Sequence, residues 1–98
     1  MVKHMIVWKF KEELADKTGR AKEIKCALEA LVGKIDGLLE MHILIEGLAC
    51  SSGDLMMDST FASSEALAAY QKHPLHVAIA DGLVRPSMAS RLSFDYEA

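Results

Sequence analysis

Four histidines and one tyrosine carry most of the chemistry open to this chain of 98 residues. His73 and His76 bracket Pro74 and Leu75, Tyr70 lies three residues before His73, His4 sits in the first apolar stretch, and His42 lies near the middle. Histidine titrates near neutrality, so it can accept a proton or bind a metal. A tyrosine hydroxyl can donate to an oxygen on which negative charge develops. The spacing speaks against a metal. Pro74 breaks the helical register that would align His73 with His76, Cys26 and Cys50 are remote in sequence, and no carboxylate completes a ligand set. No phosphate-binding glycine loop is present either, and no cofactor is expected. The same residues have a structural use. His73 can finish one helix, Pro74 can open the next, and His76 can donate to a backbone carbonyl. His4 and Tyr70 can then serve as core residues with a polar edge.

The elements that must position these groups follow from periodicity. Val2 to Phe10 alternates, with Val2, His4, Ile6, Trp8 and Phe10 on one face, and reads as a strand. Ala21, Ile24, Leu28, Leu31, Val32 and Ile35 recur at helical spacing. Thr18 is the candidate start of that helix, and Gly33 and Gly37 mark an end near Ile35 and Asp36. Leu38 to Glu46 alternates again, with Leu39, Met41, Ile43 and Ile45 opposed by Leu38, Glu40, His42, Leu44 and Glu46. Gly47 to Asp54 reads as a hairpin loop before a strand from Leu55 to Phe61.

Ser63 and Ser64 precede an alanine-rich helix that Pro74 interrupts at His73. Pro74 can be the first residue of a following helical segment, which carries Val77, Ala80, Leu83 and Val84 and ends at Pro86. Ser90 to Glu97 closes the chain as a strand with Leu92, Phe94 and Tyr96 on one face. The order βαββαβ predicts an α+β, ferredoxin-like fold in one domain over residues 1–98, a four-stranded antiparallel sheet with helices on one side.

Composition narrows the partners. Fourteen acids outnumber eleven Lys and Arg, the net charge is −3, and no basic run exists, so nucleic acid is not expected. No segment reaches the roughly 18–20 apolar residues that span a bilayer. The first residues lack the pattern of a signal peptide. Two isolated cysteines make a disulfide framework improbable, and the expected location is the cytoplasm. Cys26 is expected to pack within the first helix, Cys50 to be an exposed thiol, and His42 to be solvated or interfacial.

The faces of the strands predict an assembly. Ile6, Trp8 and Phe10, Met41, Ile43 and Ile45, Met57 and Phe61, and Leu92, Phe94 and Tyr96 are assigned to the helix side. The opposite face mixes Met5, Val7, Leu38, Leu44 and Met56 with Glu40, His42, Asp58 and Arg91. A solvated sheet face is normally more polar. Sheet-to-sheet pairing with a second copy is the expectation.

The stretch Ala69-Tyr70-Gln71-Lys72-His73-Pro74-Leu75-His76-Val77 resembles the Tyr-x-x-His-Pro-x-His signature of the stress-responsive A/B barrel family. The opening Val2 to Lys11, the ending Asp95-Tyr96-Glu97 and the block Leu31 to Ile35 are similar to that family as well, so the resemblance spans nearly the whole chain. It departs at Met41 to Glu46 and at Asp58-Ser59. Membership implies a dimeric α+β barrel, two ferredoxin-like subunits packed sheet to sheet. One plant member of the family is a polyketide cyclase that closes a ring by aldol chemistry without a cofactor. A tyrosine and a histidine at the positions of Tyr70 and His76 are its working pair, with a strand-one histidine nearby. The resemblance therefore implies His76 as base, Tyr70 as donor and His4 as assistant, acting on a small hydrophobic carbonyl compound. Trp8 and His73 are the candidates to line its pocket. Other members imply a non-catalytic, stress-related structural dimer, and related barrels include small oxygenases of quinols or haem.

Overall fold

A computed structural model describes all 98 residues. The chain runs β1 (Val2–Phe10), α1 (Lys17–Glu29), β2 (Leu38–Leu44), β3 (Leu55–Phe61), α2 (Ser64–Lys72), α3 (Pro74–Ile79), a π-helical turn (Ala80–Val84), one further helical turn (Arg85–Ser87) and β4 (Met88–Glu97). The strands form one antiparallel sheet in the order β2-β3-β1-β4, the ferredoxin-like arrangement expected from the sequence. No helix is long and apolar enough to cross a membrane.

The core lies between the helices and one sheet face. Val2, Ile6, Trp8 and Phe10 of β1 pack there with Met41 and Ile43, Leu55, Met57 and Phe61, and with Ala21, Ile24, Leu28, Leu67 and Tyr70 from the helices. Asp16 rather than Thr18 caps α1, accepting from the Gly19 amide. The helix stops at Glu29, short of the expected Ile35. Leu31 and Ile35 remain buried because the turns that follow continue along the same groove, whereas Val32 is exposed. Cys26, expected to pack, is exposed as well. Gly37 reverses the chain at φ +84°, where a Cβ would stand 2.5 Å from that of Ala66.

Helix α1 also covers part of the β2 edge of the sheet. The Glu29 carboxylate accepts from the Ile43 amide at 2.9 Å and the Lys25 ammonium donates to the Ile43 carbonyl at 2.9 Å, so an edge residue has both backbone groups paired. Burial alone would raise the Glu29 pKa. The Ile43 amide and the Lys25 cation outweigh it and hold the carboxyl below its ordinary value.

Two strand faces differ from the sequence expectation. In β2, Leu38 pairs with Phe61 and Glu40 with Thr60, so Leu39 is an extra, bulged residue. Leu38 is consequently buried and Leu39 exposed, the reverse of strict alternation. In β4, Leu92 pairs with Val7, Phe94 with Met5 and Tyr96 with Lys3. These side chains therefore lie on the outer face, exposed, and Arg91, Ser93 and Asp95 share the helix side with Trp8, Ile6 and His4. Period-two alternation separates two sets of residues; the pairing register decides which set faces the core.

Candidate functional site

Tyr70 reaches the core because α2 is started and stopped sharply. The Ser63 hydroxyl accepts from the Ala66 amide at 3.1 Å, and Leu67 and Tyr70, one turn apart, form the buried side. His73 is extended, as a residue before proline must be, at φ −66° and ψ 133°. Its amide donates to the Tyr70 carbonyl at 3.1 Å, and its Nδ1 accepts from the Leu75 amide at 3.1 Å. His73 thus caps the end of one helix and the start of the next, and Pro74 opens α3 as expected. This joint brings His76 back over Tyr70, with ring centroids 4.2 Å apart.

The rings continue inward. Phe61 lies 4.9 Å from Tyr70 and 6.2 Å from His4, centroid to centroid, and it is fully buried. His4 projects from β1 under the helices, nearly as deep. Its Nδ1 is bonded to the Asp95 carboxylate of the neighbouring strand. On the other side, the buried Ser59 hydroxyl donates to the His4 carbonyl at 2.6 Å.

A cavity of about 500 Å³ opens beside this row. Its inner wall is apolar, made of Ile6, Trp8, Leu28 and Met57, and His4, Tyr70 and His76 all line it. Arg85 and Arg91 lie at its exposed end. The volume is in the range of small-molecule sites. His4, Tyr70, His76 and Trp8 are therefore brought to one place, and His73 is not, being engaged in the helix joint. Asp95 and Arg91 escaped the sequence reading because β4 was assigned the opposite facing. Phe61 escaped because nothing in its spacing distinguishes a spacer ring from any other core aromatic.

Two polar atoms in this region are buried without a partner: the Tyr70 hydroxyl and the His76 Nδ1. Buried polar groups are normally satisfied, so each such exception asks for a reason. Burial raises the Tyr70 pKa far above that of a free phenol, with Arg91 opposing weakly, so the hydroxyl keeps its proton. Burial lowers the His76 pKa; the Gln71 backbone carbonyl opposes this, and the charges of Arg85, His4 and Arg91 add to it. His76 is therefore a neutral imidazole at pH 7, facing a hydroxyl that keeps its proton and can donate it. The pair can take a proton and stabilise an oxyanion. No three side chains among His, Cys, Asp and Glu are grouped so as to hold a metal ion.

Residues 2–98 match the family model of the Stress responsive A/B Barrel Domain. No curated protein matches the chain. Among solved structures, a dimeric protein of unknown function and ferredoxin-like fold from Bacteroides fragilis is 26% identical, with a TM-score of 0.89 over 99% of this chain and 95% of its own. An Arabidopsis thaliana protein is 27% identical, with a TM-score of 0.81 over 100% of this chain and 95% of its own. A hydroxynitrile lyase from Passiflora edulis shares the fold at 16% identity, with a TM-score of 0.77 over 97% of this chain and 90% of its own.

Proposed function

The chain belongs to the stress responsive A/B barrel domain family, and from that premise we propose that it is a homodimer whose cavity binds a hydrophobic carbonyl compound and moves a proton on it without a cofactor. His76 removes the proton next to the carbonyl. The electron pair left on carbon moves to the carbonyl oxygen, and the Tyr70 hydroxyl donates to that oxygen as it becomes an enolate. His4, its ring fixed by Asp95, assists at the inner end of the cavity. The imidazolium then returns its proton to carbon, or the carbon attacks a second carbonyl and the imidazolium protonates the alkoxide so formed; either way His76 is neutral again. The observation that carries this reading is the buried Tyr70 hydroxyl, without a hydrogen-bond partner, and the His76 ring 4.2 Å from the Tyr70 ring, in residues that line one apolar cavity.

Deuterium uptake tests it. In D2O, NMR of 2-nonanone with the protein should show exchange at the carbons flanking the carbonyl, above the rate in buffer alone. His76→Ala should remove the excess rate, a loss on the order of a hundredfold or more. Tyr70→Phe should lower it while leaving ketone binding in place. Exchange no faster than buffer across a series of alkyl and aryl ketones would refute the catalytic reading.

The homodimer reading rests on the outer sheet face. Leu92 and Phe94 are 76% and 70% exposed, and Val7, Leu39, Leu44 and Tyr96 add to the same side. An apolar surface of this extent favours an isologous sheet-to-sheet contact. The Bacteroides fragilis neighbour is dimeric.

A further inference from the structure

The end of the cavity nearest solvent differs from its walls. Arg91 lines it from β4, on the helix side of the sheet beside Trp8 of β1. Its guanidinium takes part in none of the side-chain hydrogen bonds or ion pairs of the chain. Arg85 lines it from the helical turn opposite and is paired with Asp81, both exposed. Such an exposed pair contributes little and is readily given up. Asp95 is the nearest other acid on that face of β4, and His4 holds it. Arg91 is therefore a guanidinium without a carboxylate of its own at the mouth of an apolar cavity, in a chain whose net charge is −3.

We propose that the ligand of this cavity carries a carboxylate, held at the mouth by the Arg91 guanidinium with Arg85 flanking it, while its apolar body lies against Ile6, Trp8, Leu28 and Met57. The inference rests on the ligand-binding half of the reading above and names the chemical class of the ligand. Guanidinium recognises a carboxylate through two parallel hydrogen bonds, which orients the ligand as well as attracting it. One unpaired guanidinium suits a monoanion better than a dianionic phosphate. An anchor at the open end also points the rest of the molecule inward, toward Tyr70 and His76.

The test is equilibrium binding, independent of turnover. Titration calorimetry or NMR titration compares 4-phenylbutanoate with 4-phenylbutanamide, which have the same body and differ in charge. The carboxylate should bind the wild-type protein at least tenfold more tightly than the amide, the size of effect expected for a charge-assisted hydrogen bond. Arg91→Met should abolish that preference and leave amide affinity within about twofold, and Arg91→Lys should restore part of it. Equal affinities in the wild type, or a preference that survives Arg91→Met, would overturn the proposal. Failure of both probes to bind would overturn it together with the ligand-binding reading beneath it. A carboxylate preference without any ketone exchange would uphold it and remove only the catalytic step.

Discussion

Tyr70 and His76 stand ring to ring across a helix joint, and their surroundings push their acidities apart. Burial keeps the phenol protonated and the imidazole neutral, the assignment a proton-transfer site needs at neutral pH. The sign of the pH dependence follows. His76 has a folded-state pKa below its ordinary 6.5, so its neutral form persists as the pH falls through 6.5. The acid limb of 2-nonanone exchange should therefore be centred below pH 6.5. The same shift makes a stabilising contribution that is present above the unfolded pKa and lost as pH falls through the folded one. A pH-rate profile with its acid limb centred above 6.5 would contradict the environment described for His76. The sequence placed His4, Tyr70, Trp8 and His76 near one site through a motif and an alternation. It named His76 as the base through the motif, but it also put His73 among the pocket-lining residues, because only the turn of the backbone tells that this ring caps a helix instead of entering the cavity.

Between elements, the joins carry the information. Gly37 must combine a positive φ with a close approach to Ala66, and it sets the path from α1 into β2. Gly33 has the same need for positive φ, at +88°, but open space where a Cβ would point. Replacing each by alanine separates the two costs. Gly33→Ala should lose about 1–2 kcal/mol for the left-handed backbone alone, and Gly37→Ala more, since Ala66 must also shift. Urea denaturation of the two variants measures the difference, and equal losses would show that the Ala66 contact is without consequence. The strand and helix types were legible from spacing in β1, β3 and α2. The end of α1 was not, because the turns after Glu29 bury Leu31 and Ile35 on the face that a longer helix would have used. The bulge at Leu39 was equally hidden, since an extra residue leaves the alternation of the letters intact and changes only what each letter faces.

For the molecule as a whole, the facing of β4 has the largest consequence. With Leu92, Phe94 and Tyr96 turned outward, the apolar outer face is broader than alternation alone suggested, and the inner side of β4 supplies Arg91 to the cavity and Asp95 to the His4 ring. The proposed assembly surface and the candidate site are thus two faces of one strand. Val7→Lys and Leu92→Lys, which face each other across β1 and β4, should convert the dimer to monomer at micromolar concentration in analytical ultracentrifugation. Arg91→Met, on the opposite face, should leave the dimer in place. A wild-type protein that sediments as a monomer under those conditions would refute the assembly. The sequence by itself determined the order of elements, the core face of β1 and the residues from which a site could be built, because periodicity and capping act over a few neighbouring positions. Only the tertiary structure decided which face of β4 meets the helices, that His73 stays out of the cavity and that Arg91 lines it. Those depend on strand register and on the angle of a helix joint, which contacts between residues distant in sequence set.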